Sequence, residues 1–292
     1  MSWRRNHRKF AYTLAMAVLV QKADGLREAF DPQKLLHSLE HAGAEPDTAK
    51  KIAARVEGEL YDGITTQEIY RHAFAQLRAA RHGAAARYSL KRAVMDFGPS
   101  GFPFEAYIAE LFRAEGSTAV IDQLVGGACV EHEVDVVSRK GGDTTYTEAK
   151  FHNAAGFKTD LKTALYVKAR MDDIRAAHPG QEAHIFGLLV TNTKFTSHAI
   201  RYAECSGVDL LSWEYPRGKT LHERIDAVGL YPVTALTMLS RREKTALLQQ
   251  KIVLCNVLPN DTRSLAEAGV TGHKAQAVLE EVGALCIPGT HR

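Results

Sequence analysis

The sequence predicts an α/β chain, α+β overall: a helical front domain with a β-hairpin, a central mixed sheet flanked by helices, and a small helical module behind. Three observations carry this. Two short β-like runs and four helical patterns fill the first hundred residues; residues 100–230 alternate helical periodicity with apolar β-type runs; after residue 231 the hairpin-of-helices pattern takes over. At 292 residues, 24% of them charged, the chain is too long for one small core. A net charge of only +3, spread along the sequence, neither requires nor excludes a polyanionic partner.

Residues 1–16 read as a leader, which a natural start at Met16 would remove: Trp3 to Lys9 is basic, and the apolar run Phe10 to Val20 is too short to span a bilayer. A soluble, cytoplasmic protein with no membrane partner is expected. Cys129, Cys205, Cys255 and Cys286 lie far apart with no C-x-x-C pair, which predicts buried, reduced thiols rather than a zinc site.

In residues 17–98, the runs Ala17–Lys22 and Leu26–Phe30 flank Asp24-Gly25, which supplies the positive φ of a tight hairpin. Asp31 followed by Pro32 opens a helix that Gly43 ends. Asp47 begins a second helix, Thr65 to Glu68 forms a capping box for a third, and a fourth runs from about Ala84 to Asp96. Pro99, Gly101 and Pro103 mark the boundary. The pattern V-x-K-x-D-G at Val20, then Glu28, then Lys34, then Tyr61 to Thr66, resembles the ATP-cone domain. That resemblance implies ATP or dATP as a regulatory ligand, with Lys22 and Lys34 facing phosphates and Val20, Glu28, Phe30 and Thr66 lining the rest. The sequence departs from the family at Ala23, where a second basic residue is common. No G-x-x-x-x-G-K-[ST] is present, so a sensor rather than a P-loop hydrolase is expected.

In residues 100–230, Phe104 to Ala114 is an amphipathic helix, followed by β-type runs at Ala119–Val125, Ala128–Val137 and, after the Gly141-Gly142-Asp143 turn, Thr144–Phe151. Alternation puts Glu148 and Lys150 on one face of the last strand, with Asp135 beside them. Asp135, twelve intervening residues and then E-x-K offer two carboxylates for Mg²⁺ (or Mn²⁺), which acidifies water, and a lysine to orient that water or stabilise an oxyanion. Together with Phe104-Glu105, Glu133 to Val137, a long helix, the strand Ile185–Val190 and Thr191-Asn192, this arrangement resembles the PD-(D/E)xK nuclease superfamily, and within it the Mrr-like restriction endonucleases. The resemblance implies Asp135 and Glu148 as metal ligands, Lys150 as catalytic lysine and Glu105 as acidic helper. Glu148 stands where the Mrr group often carries glutamine. His132, His152 and Asn153 are open between site and structural roles. The basic residues from Lys158 to Arg175 read as a solvated helix with some phosphate contacts.

In residues 231–292, Asp261 to Ala275 resembles a helix-hairpin-helix motif, which either grips a DNA phosphate or packs on the nuclease domain or a second subunit. Taken together, the sequence predicts a Mg²⁺-dependent deoxyribonuclease, an endonuclease regulated by ATP or dATP, acting on DNA as a homo-oligomer (a dimer or higher). The alternative is a catalytically inactive, nucleotide-dependent DNA-binding regulator.

Overall fold

A computed structural model describes residues 18–286; the leader expected over residues 1–16 lies outside them. Strands β1 (Leu19–Gln21) and β2 (Arg27–Ala29) pair antiparallel around a turn in which Gly25 takes φ +84°. Helix α1 (Pro32–His41) starts where Asp31 accepts the Gln33 amide and proline fills the first turn. Helix α2 (Pro46–Gly58) follows, and α3 (Thr66–Ala80) opens on a complete Thr65–Glu68 capping box. Leu39, Ile52, Val56, Ile64 and Leu77 close these elements around one apolar core.

The fourth helix expected over 84–96 is two helices, α4 (His82–Tyr88) and α5 (Leu90–Met95), parted at Ser89. The Ser89 hydroxyl donates to the Ala86 carbonyl at 2.8 Å, a local bond that competes with helix continuation. The break redistributes the apolar residues. Ala84 and Ala85 stay in the front core, while Ala86, Leu90, Val94 and Phe97 join a core shared with the rest of the chain.

Helix α6 (Phe102–Ala114) leads into β3 (Thr118–Gly126), β4 (Glu131–Lys140) and β5 (Asp143–Lys150), an antiparallel meander. After the two-residue β6 (Lys158–Thr159) come α7 (Leu161–Ala176), β7 (Ile185–Thr191), the short β8 (Lys194–Phe195), α8 (Ser197–Ser206) and β9 (Asp209–Leu211). The main sheet has the order β3-β4-β5-β7-β9, with β5, β7 and β9 parallel, and is therefore mixed as expected. β7 is buried on both faces: Ile185 and Leu189 pack with α7 and α8, Leu188 and Val190 with α6.

The chain continues through α9 (Leu221–Val228), α10 (Arg241–Gln249), α11 (Thr262–Glu267) and α12 (Gly272–Leu285). Leu265, Val270, Val278, Val282 and Leu285 are buried in the shared core, so the terminal hairpin packs on its own chain. Buried Glu281 holds it there by accepting from the amides of Thr237 (2.7 Å) and Met238 (3.0 Å). The cysteine expectation is corrected. Cys129 and Cys205 are exposed rather than buried, whereas Cys255 is buried and the fold returns Cys286, at the end of α12, against it. No helix among the described residues is long and apolar enough to cross a membrane.

Candidate active site

The antiparallel β4–β5 pair sets Val136 opposite Thr147, which brings Asp135 to the level of Glu148 and Ala149. Asp135 Oδ2 accepts the Ala149 amide at 2.7 Å, fixing the carboxylate beside the E-x-K segment. Glu148 and Lys150 leave β5 on the same face, Lys150 at its exposed end. Glu105 enters from the first turn of α6.

These carboxylates burden one another. Burial first, then the charge of Glu148, pushes Asp135 up to about 6, although the Ala149 amide works against the shift. Glu105 rises to about 7 through burial and the charges of Asp135, Asp122, Glu148 and Glu133. A first-turn helix position ordinarily favours a carboxylate. Here desolvation and like charge outweigh it. A carboxylate cluster of this kind fits a hard divalent cation, which takes oxygen ligands and offsets the repulsion.

Two residues of the cluster were not anticipated. Arg170 of α7, 4% exposed, donates to Glu148 Oε2 and to the Glu133 carbonyl (2.6 Å) and stacks over Tyr166 at 4.7 Å. The sequence reading placed it among solvated cations, yet it lies on the stripe of buried Val167, Met171 and Ile174. An arginine at an inward position of a helical stripe was the legible signal. Asp122, on β3, lies where the β3–β4 ladder is interrupted between Ile121↔Val136 and Gln123↔Val134, across from Asp135. Its φ is +54°, a left-handed conformation that aspartate tolerates better than most residues. The Gln123 side chain bonds the carbonyls of Ile121 (2.8 Å) and Asp122 (3.1 Å) beside the kink.

The histidines divide. His132 Nε2 lies 2.8 Å from Asp173, which also accepts the amides of Cys129 and Val130, so His132 holds the β3–β4 loop to α7 and faces away from the cluster's work. His152 follows β5: Nε2 meets Thr159 Oγ1 at 3.0 Å and the ring stacks on Phe157. Burial and the Lys150 charge hold its pKa below the ordinary value. Buried Asn192 grips the His152 backbone from both sides, accepting its amide (2.8 Å) and donating to its carbonyl (2.9 Å). Asn153 begins a loop whose Gly156 packs so tightly on the front hairpin that a Cβ there would sit 2.7 Å from the Ala23 carbonyl oxygen.

In that front hairpin Lys22 Nζ pairs with Glu28 Oε2 at 2.7 Å and Lys34 Nζ lies 3.9 Å from Oε1. The lysines hold Glu28 below the usual carboxylate range. Thr66 stands exposed at the start of α3, where Gln21 bridges to Thr65; Phe30 packs against the front core, and Val20 is buried within it rather than open to a ligand through its side chain. Lys22, Glu28 and Lys34 thus converge, with the α3 amino end alongside.

Comparison with known proteins places three family models on the chain: ATP cone domain over residues 18–96, restriction endonuclease over 99–215, and AF1548-like, C-terminal, over 231–286. An uncharacterized protein of Archaeoglobus fulgidus is 34% identical over 175 residues, 60% of this chain and 97% of that protein. The crystal structure of the protein AF1548 matches with 30% identity and a TM-score of 0.52, over 63% of this chain and 97% of that one. A repair endonuclease from Pyrococcus abyssi is a distant similarity at 20% identity and TM-score 0.32, over 39% of this chain and 46% of that one. The chain belongs to the AF1548-like family, and it carries an ATP-cone domain, a restriction-endonuclease domain and the AF1548-like C-terminal domain in that order.

Proposed function

We propose that this protein is a divalent-metal-dependent deoxyribonuclease whose activity responds to ATP or dATP at the front domain. The placement of Asp135, Glu148 and Lys150 on one face of the sheet, with Glu105 beside the carboxylates, carries the reading. Asp135 and Glu148 would hold Mg²⁺ or Mn²⁺, with Glu105 and Asp122 completing the acidic surround. When bound, the ion supplies Lewis acidity toward a phosphate and an acidified water. Lys150 positions the attacking water and places its ammonium where negative charge grows on the phosphate. Arg170 keeps Glu148 aimed and partly compensated. A homodimer would present two such sites to the two strands of a duplex.

The Arg170–Glu148 pair also favours a second reading, a DNA-binding regulator in which that cation stands in place of a metal. Supercoiled and linear DNA incubated with Mg²⁺ or Mn²⁺, with and without ATP and dATP, separates the two. Cleavage that falls by about 10²- to 10⁴-fold in Lys150→Ala supports the enzyme. DNA binding without metal and no cleavage under any condition supports the regulator.

Nucleotide control rests on the contact of Gly156 with the Ala23-Asp24 turn, one residue beyond Lys22 and six beyond Lys150. Coupling between two sites is ordinarily about 5- to 150-fold. Gly156→Val, which must push the hairpin away, is expected to bring the nucleotide effect on cleavage toward onefold while the nucleotide-free rate holds. An unchanged response in that variant would show that control takes another route.

A further inference from the structure

A cluster distant from both sites in role lies where the front domain meets the nuclease domain. His41, at the carboxyl end of α1, faces His222 and Asp226, which stand four residues apart on one face of α9. Asp226 Oδ2 lies 3.1 Å from His222 Nε2 and 3.8 Å from His41 Nδ1. The three ligand atoms all fall within 4.8 Å of one another. The other oxygen, Oδ1, accepts from the hydroxyl of buried Tyr231 at 3.2 Å, which leaves Oδ2 turned toward the two imidazoles. His222 is itself held flat against Trp213, ring centres 5.2 Å apart. Asp226 and His222 are partly buried, whereas the His41 side chain is half exposed.

We infer that His41, His222 and Asp226 form a binding site for a borderline transition-metal dication of the zinc class, pinning the nucleotide-binding domain to the nuclease domain. Ligand bonds of about 2.0–2.2 Å in tetrahedral geometry put donor atoms about 3.3–3.6 Å apart, against 3.1 and 3.8 Å for the two separations from Asp226 Oδ2 and no more than 4.8 Å between the imidazole nitrogens. Two imidazole nitrogens and one carboxylate oxygen select Zn²⁺, Co²⁺, Ni²⁺ or Cu²⁺ over Mg²⁺, which prefers oxygen. The half-exposed side of His41 leaves a fourth position to water. Tyr231 orients the carboxylate from behind, as partners of ligating groups commonly do. The α9 segment lies between the regions that the restriction-endonuclease and AF1548-like models match. The inference does not depend on nuclease activity.

Co²⁺ titration of the full chain, followed by visible absorption, tests this. Asp135→Asn is carried throughout so that the carboxylate cluster contributes no signal. One equivalent of Co²⁺ is expected, with the strong bands of a low-coordinate nitrogen-oxygen site, displaced by Zn²⁺. His41→Ala, a surface change that spares the fold, is expected to lose the bands and at least roughly tenfold in affinity; Tyr231→Phe is expected to lose about 10- to 100-fold. Zn²⁺ should raise the Tm of the parent and not that of His41→Ala. Absence of Co²⁺ binding in the parent, or bands and affinity unchanged in His41→Ala, would overturn the site and leave an ordinary interdomain ion pair.

Discussion

Asp135→Asn is expected to abolish cleavage and, in the absence of metal, to make the folded chain more stable at pH 8. The loss of cleavage should be on the order of 10³-fold or more, because the variant removes the charge of the carboxylate that would hold the proposed cation and that accepts the Ala149 amide. The gain in stability follows from the raised pKa. An ordinary aspartate ionises near 3.8, whereas Asp135 holds its proton to about 6, so the native state binds more protons between those values. The cost of ionising it is absent below about pH 4, grows as pH rises to about 6, and stays constant above. Allowing for solvent screening of a partly exposed group, the variant should gain on the order of 1–2 kcal/mol at pH 8 and nothing at pH 4. Urea denaturation in EDTA at both values measures it. A variant destabilised at pH 8 would show that Asp135 is a structural acceptor first and a strained carboxylate second.

Arg170→Ala is expected to destabilise the nuclease domain strongly, on the order of 3 kcal/mol. The guanidinium is 4% exposed and serves two acceptors, Glu148 and the Glu133 carbonyl. Its loss leaves a partly buried carboxylate without compensation inside an already acidic cluster. Adding Glu148→Gln should restore about 1 kcal/mol or more, a coupling that two independent surface residues would not show. Mg²⁺ should stabilise Arg170→Ala more than the parent, since the ion takes over the lost charge. Equal stability of Arg170→Ala and the parent would refute a neutralising role for the arginine.

Local chemistry made much of this molecule legible in advance. The Asp31-Pro32 cap, the Thr65–Glu68 box and the Asp24-Gly25 turn each act within a few residues, and each forms as read. Strand alternation likewise put Glu148 and Lys150 on one face before any register was known. What escaped depends on chain segments far apart. Arg170 becomes an inward residue only when α7 lies against Glu133 and Glu148, 37 and 22 residues earlier. Asp122 matters because a kink in β3 falls across from Asp135, and alternation alone does not announce a kink. The transfer of Leu90 and Val94 to the shared core follows from packing against the C-terminal part of the chain, which no local pattern encodes. The approach of Gly156 to Ala23 is of the same kind.

Whether the acidic cluster holds a divalent ion used to cut DNA is decided by a single Mn²⁺ titration. Bound Mn²⁺, read by the loss of the free-ion paramagnetic resonance signal, and plasmid cleavage are followed together in the parent chain and in Asp135→Asn. Cleavage is expected to rise with occupancy of one class of Mn²⁺ site, and both are expected to disappear in the variant. Mn²⁺ binding that survives Asp135→Asn unchanged, or a fully loaded parent chain that leaves every form of DNA intact, would contradict it.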